Sequence, residues 1–191
     1  MTPEALRTFA FDSIYLFASA EHPQPDAAKV LASLPPEQRD RVFHVATRRL
    51  AFQLLYQLDA IVTPPDAAAV DAFVVNALGR VEGLGPMAVA GIEAFVRDAY
   101  NARAGADAEF LELAPEWPTN RLAAVDRAIL RLAHFEMVSG RTPSKIAVNE
   151  AVELAKHYST EKSPAFINGL LDKVLKRLEP AAADQSPAAS T

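Results

Sequence analysis

The 191-residue sequence predicts an all-α protein, and three observations carry that expectation. Half of the residues are hydrophobic and only 7 are glycine, a balance that suits helices packed on helices. The 14 prolines sit between apolar segments rather than inside them, where they read as helix boundaries. No run alternates cleanly at strand period, and no internal repeat is visible. The length fits one domain with a real core, or one domain plus an arm.

Taken in order, Thr2-Pro3 starts a first helix, with Thr2 as N-cap and Pro3 at the first helical position. Leu6, Ala10, Ile14 and Phe17 fall on one face of it. Residues 8–20 also have the outline of a signal peptide, but Asp12 interrupts the apolar run and Glu4 offsets Arg7. Asp26 caps a short helix through Leu34. Pro35-Pro36 opens a long helix to about Ile61, with Val42, Val45, Leu50, Leu54, Leu55 and Leu58 as its apolar stripe. Thr63-Pro64-Pro65-Asp66 ends it and starts the next. Residues 67–82 and 87–103 read as two helices around the Gly83-Leu84-Gly85-Pro86 break, and 104–118 as an acidic loop carrying Trp117.

The last three helices have the clearest punctuation. Thr119 or Asn120 caps the first, and Gly140 suits the left-handed position after it. Ser144 caps the second, which runs to about Ser159. Ser163-Pro164 opens the third, which stops at Pro180. These boundaries divide the chain into a helical extension (1–40), a main domain (41–180) and a disordered tail (181–191).

The absence of cysteine excludes disulfides, thiolate zinc sites and cysteine nucleophiles, and is compatible with a cytoplasmic protein. No apolar run of about 18 residues reads as a membrane span. The net charge of −5 is unevenly spread. Residues 1–120 carry 9 basic and 16 acidic side chains, net −7, whereas 121–180 carry 10 and 7, net +3. The segment 39–49 holds Arg39, Arg41, Arg48, Arg49 and His44 against Asp40. Nucleic-acid binding follows local potential rather than net charge.

No enzyme constellation stands out. There is no G-x-S-x-G elbow, P-loop or G-x-G-x-x-G. Glu150, Glu153 and His157 share one helix face, but a di-metal helical site needs a second such helix; a solvated polar face is the plainer reading. His134 reads as a helix-packed histidine. The expectation is therefore no catalytic residue, no metal and no cofactor. The basic segment is the better lead. Arg41, His44 and Arg48 fall on neighbouring helix positions, and Tyr56 lies about two turns beyond Arg48. Arginine pairs with phosphate through a planar fork, and an aromatic face stacks an unpaired base. Most basic helix faces are merely solvated, so this pattern alone does not identify a function.

Longer phrases are more specific. Arg48-Arg49-Leu50-Ala51-Phe52-Gln53-Leu54-Leu55-Tyr56-Gln57 precedes Trp117-x-x-x-Arg121-Leu122 and Asp126-Arg127-Ala128-Ile129-Leu130-Arg131-Leu132-Ala133-x-x-Glu136. Then come Lys145-Ile146-Ala147-Val148-Asn149-Glu150-Ala151-Val152-Glu153-Leu154-Ala155-Lys156 and Phe166-Ile167-Asn168-Gly169-Leu170-Leu171-Asp172-Lys173. In this order they resemble the NusB family of bacterial antitermination factors, from about His44 to Leu178. The resemblance implies two small packed helical bundles, here with an extra N-terminal helical extension. It implies binding of boxA-type single-stranded RNA on nascent ribosomal transcripts, with ribosomal protein NusE, within an RNA polymerase antitermination complex. No covalent chemistry is implied.

By the same resemblance, Arg48, Gln53 and Tyr56 face RNA from the first family helix, and Phe166 lies by the same surface. Asp126 falls at an acidic position used for NusE. Asn149 and Asn168 read as satisfying backbone groups at helix junctions, and Ile129, Leu130, Leu132, Ile146 and Leu154 as core. The middle, about 62–116, matches only in helical character. The chain departs from the family in lacking its arginine-rich arm; Arg39 and Arg41 stand one turn earlier. Arg49 and Lys162 stand where acids are common, which adds positive charge to the RNA side. Arg48→Glu or Tyr56→Asp is expected to weaken RNA binding without unfolding the protein. Three other readings remain: a NusB-fold interaction module with weak or lost RNA binding, an accessory domain for a ribosomal RNA methyltransferase on a separate chain, and an enzyme. Some family members form homodimers that hide the RNA surface.

Overall fold

The computed structural model describes residues 2, 5, 32–79 and 86–183. The amphipathic segment 8–20, the Asp26 cap, the Gly83–Gly85 break and the tail from 184 lie outside them. The described residues form six α-helices, one 3-10 turn and no strand. Chain contacts divide into two units, Met1–Asp98 and Ala99–Thr191.

In the first unit, Thr2 does act as a cap, its Oγ1 accepting the Ala5 amide at 3.2 Å. Helix α1, Pro36–Asp59, opens on Pro35 with Pro36 in its first turn, where the missing N–H costs nothing. All six residues of the expected stripe are buried. Helix α2, Ala67–Leu78, starts where Asp66 accepts the Ala69 amide at 2.8 Å. It buries Val70, Val74 and Leu78, one residue per turn, and ends at Leu78 with Gly79 as its C-cap; the expected end at 82 lies outside the described residues. Arg97 joins Asp71 at 3.1 Å and so ties the first half of the next helix to α2.

Helix α3, Pro86–Leu113, overturns the first part of the loop expected at 104–118, and only 114–118 is non-helical. Gly105 is only a modest penalty inside a helix, roughly 1 kcal/mol. Ala106 and Phe110, one turn apart, are buried and hold the segment to the core. The acidic bias that read as a loop is a pairing face. Asp107 binds Arg131, Glu109 binds His134, and Glu112 binds Arg177.

The second unit contains the end of α3, then α4 (Ala124–Val138), α5 (Ser144–Tyr158) and α6 (Ser163–Ala183). The last three pack on one another. Ile129, Leu130, Leu132, Leu154, Ile167 and Leu171 are buried in this unit. Ile146 is half-exposed, contrary to expectation. Ala147, Ala151, Leu154 and Ala155 form the inward stripe of α5, and Ile146 lies about 100° away from Ala147 around the helix. Asn149 and Asn168 are exposed and mid-helix, not at junctions.

Three expected caps also differ. Thr119–Arg121 forms a 3-10 turn, and α4 starts after Ala123 without a side-chain cap. Pro143 takes the cap position of α5, which leaves Ser144 inside the helix. Ser163 is the first residue of α6 and directs its hydroxyl to Asp126. Gly140 does adopt the left-handed conformation, φ 66°. Helix α6 passes Pro180 to end at Ala183; proline removes one helix hydrogen bond but does not stop this helix.

Candidate nucleic-acid interface

The expected RNA-facing residues fall into two groups, one in each unit. The first lies along α1. Arg41 and His44 are exposed near its start, Gln53 is half-buried, and Tyr56 is 40 % exposed. The Tyr56 ring lies 6.5 Å from that of Phe52, which is buried and fixes one side of it. Arg48 and Arg49 are different. Both belong to the buried face of α1, at 8 % and 7 % exposure. A long arginine buries its methylene stem readily, so their charge is not displayed as the helix pattern suggested. Arg41, His44 and Tyr56 are the accessible members of this group.

The second group surrounds the start of α6. Lys162 is exposed in the turn before the helix, and Phe166 is partly exposed one turn in. Phe166 meets Trp117 edge to face, with ring centroids 6.0 Å apart and planes at 61°. Its neighbourhood is fixed by Asp126. That carboxylate is buried and accepts Ser159 Oγ at 2.5 Å and Ser163 Oγ at 2.9 Å. Ser159 Oγ also lies 2.9 Å from Ser163 Oγ, as does Thr160 Oγ1. Asp126 therefore ties the first turn of α4 to the turn that presents Lys162. In this arrangement it is an internal anchor, not an exposed partner contact. The Trp117 contact and the two serines were not singled out from sequence; the Trp117-x-x-x-Arg121-Leu122 phrase was the available signal for the first.

Other polar groups are internal. His134 Nε2 lies 2.8 Å from Glu109, with the ring edge on Phe110, as a helix-packed histidine should. Arg131 grips Asp107 through Nε and Nη2 at 2.8 and 2.6 Å. Glu136 is buried and accepts Thr142 Oγ1 at 2.7 Å, which braces the turn around Gly140. On the Glu150–Glu153–His157 face, Glu153 binds Lys156 at 2.9 Å and His157 Nδ1 lies 3.0 Å from the Glu153 carbonyl. No group of three or more His, Cys, Asp or Glu suited to a metal occurs among the described residues. No described helix is long and apolar enough to cross a membrane.

Comparison with known proteins supplies the family. The model of the NusB family matches residues 45–176. The transcription antitermination protein NusB of Roseiflexus castenholzii is 39 % identical over 133 residues, covering 68 % of this chain and 89 % of that protein. The solved structure of T. maritima NusB is similar with a TM-score of 0.60 and 28 % identity, over 69 % of this chain and 89 % of that one. A structure of antitermination factors NusB and NusE in complex with double-stranded RNA shares the fold, with a TM-score of 0.58 and 23 % identity, over 71 % and 97 %. The helices, their order and these matches agree: the chain belongs to the NusB family, a family of transcription antitermination proteins and not of enzymes.

Proposed function

We propose that the protein is an antitermination adaptor that binds boxA-type single-stranded RNA of nascent ribosomal transcripts together with NusE. In this reading it brings that RNA into an RNA polymerase antitermination complex in the cytoplasm. The single observation that carries the RNA part is that α1 exposes Arg41 and His44 near its start and Tyr56 near its end, with half-buried Thr47 and Gln53 between them. A cation for phosphate and an aromatic face for a base are the two elements of single-strand recognition. A similar fold occurs in a complex of NusB and NusE with double-stranded RNA, which supports NusE and RNA as partners but not the choice of a single strand. Gln53 belongs to the same helix, Arg48 and Arg49 brace it from their buried positions, and Lys162 and Phe166 form a second candidate group at the start of α6. Asp126 serves NusE by holding the Ser159–Ser163 turn.

The test is fluorescence anisotropy with labelled boxA RNA, a scrambled strand and a duplex of the same sequence. The expected result is preference for single-stranded boxA, weakened about tenfold or more by Tyr56→Asp and by Arg41→Glu without loss of helicity. Equal binding of all three RNAs, or parental affinity in both variants, refutes the surface. Burial of Arg48 and Arg49, with no arginine-rich arm, favours one alternative: an interaction module that keeps the NusE partner and binds RNA weakly. Full NusE binding with no RNA preference at any salt concentration identifies it. A homodimer that hides the α1 edge gives RNA affinity that falls as protein concentration rises.

A further inference from the structure

We propose that Trp117 and Phe166, both in the second unit, form a stacking platform for one unpaired base. This inference rests on the RNA-binding reading above. Trp117 is the sole tryptophan of the chain and is 54 % exposed. Its edge-to-face contact with Phe166 leaves indole surface open to solvent. A large aromatic surface left in water gains free energy when it is covered.

The platform is already in place. The Trp117 amide donates to the Ala114 carbonyl at 2.9 Å, and Pro115 and Pro118 restrict the backbone around it. Lys173 Nζ holds the Leu113 carbonyl at 2.8 Å, just before the turn. Phe166 is set by α6, whose first residue is bonded to Asp126. A rigid pair loses little conformational freedom on binding.

The flanks favour a base over a protein. Beside Trp117 in sequence, the exposed residues Glu116, Asn120 and Arg121 are polar; near Phe166, so are Glu161, Lys162 and Asn168. Protein hot spots sit in desolvated surroundings, whereas amides and cations can pair with base edges and phosphates. Arg121 and Lys162 are offset by Glu116 and Glu161. Stacking, not counterion release, therefore supplies the affinity here, and stacking is tolerant of base identity.

The single tryptophan makes the test direct. The full chain is titrated with single-stranded boxA-type RNA and with its duplex, reading tryptophan emission and labelled-RNA anisotropy together. Emission should quench with the single strand, at the same midpoint as anisotropy, and stay constant with the duplex. Trp117→Ala should weaken single-strand binding about ten- to hundredfold with an unchanged salt slope, and Trp117→Phe should restore most of it. Circular dichroism checks that both variants fold. RNA binding with constant emission and parental affinity in Trp117→Ala overturns the platform but leaves the RNA reading intact. Absence of any RNA binding overturns both. Loss of NusE affinity alone in Trp117→Ala makes the pair a protein contact and also overturns the proposal.

Discussion

Removing the Asp126 carboxylate should loosen the turn that carries Lys162 and the start of α6. In Asp126→Ala, two hydroxyls lose a charged acceptor, at 2.5 and 2.9 Å. Hydrogen bonds to a charged group contribute about 1.5–3 kcal/mol each, a gross loss of about 3–6 kcal/mol. Two effects offset this. Ser159 and Ser163 already lie 2.9 Å apart and can still bond each other. The variant is also spared the cost of desolvating a buried carboxylate. A smaller loss comes from removing an acidic residue in the first turn of α4, about 0.5 kcal/mol. The net expectation is about 2–3 kcal/mol, or a fall in Tm of roughly 4–12 °C for a chain of this size. Urea unfolding of Asp126→Ala, Ser163→Ala and the double variant measures it, because the double-mutant cycle isolates the coupling. A coupling above about 1 kcal/mol is expected for residues bonded in this way. Additive variants, or Asp126→Ala within about 0.5 kcal/mol of the parent, would show that no such anchor exists. If that variant is fully stable yet loses NusE, Asp126 contacts the partner directly.

Three further predictions follow from burial and pairing. Phe110→Ala should cost about 3–5 kcal/mol in urea unfolding, since Phe110 is fully buried in the helix first expected to be a loop; a small effect would return that segment to the surface. Asp107→Asn should cost about 1–2 kcal/mol by removing a two-point, part-buried pair with Arg131, whereas Asp172→Asn, in an exposed pair with Lys176, should cost less than about 0.5 kcal/mol. Equal costs would contradict the assigned geometry. Arg48→Glu should destabilise the fold by about 3 kcal/mol or more, because it places a carboxylate at a buried position, while Arg41→Glu should leave stability unchanged and act on RNA affinity alone. This replaces the sequence-based expectation that Arg48→Glu would spare the fold.

Much of the fold was legible because local chemistry and packing agree. The Pro35-Pro36 start, the Asp66 cap, the Gly140 turn and the stripe of α1 each follow from one or two residues. The misreadings share a cause. Residues 104–113 looked like a loop because Asp107, Glu109 and Glu112 are acidic, but their basic partners lie 24 to 65 positions later. Ser163 looked like a cap, and Asp126 like a surface acid, because their contact spans 37 positions. Arg48 and Arg49 looked exposed because helix pattern predicts direction, not what covers a side chain. In the candidate site, residue types were readable from the family resemblance. Accessibility and the Trp117–Phe166 contact needed coordinates.

The most direct test of the central claim is whether RNA and NusE reinforce each other. Binding of labelled boxA RNA would be measured with and without saturating NusE, and NusE binding with and without RNA, at two salt concentrations. An adaptor requires the same factor in both directions, since coupling between two sites is reciprocal, and an RNA affinity that falls with salt. A factor of about five or more, absent with scrambled RNA, is the predicted result. Independent binding of the two ligands, or boxA affinity no better than that of the scrambled strand, contradicts the account.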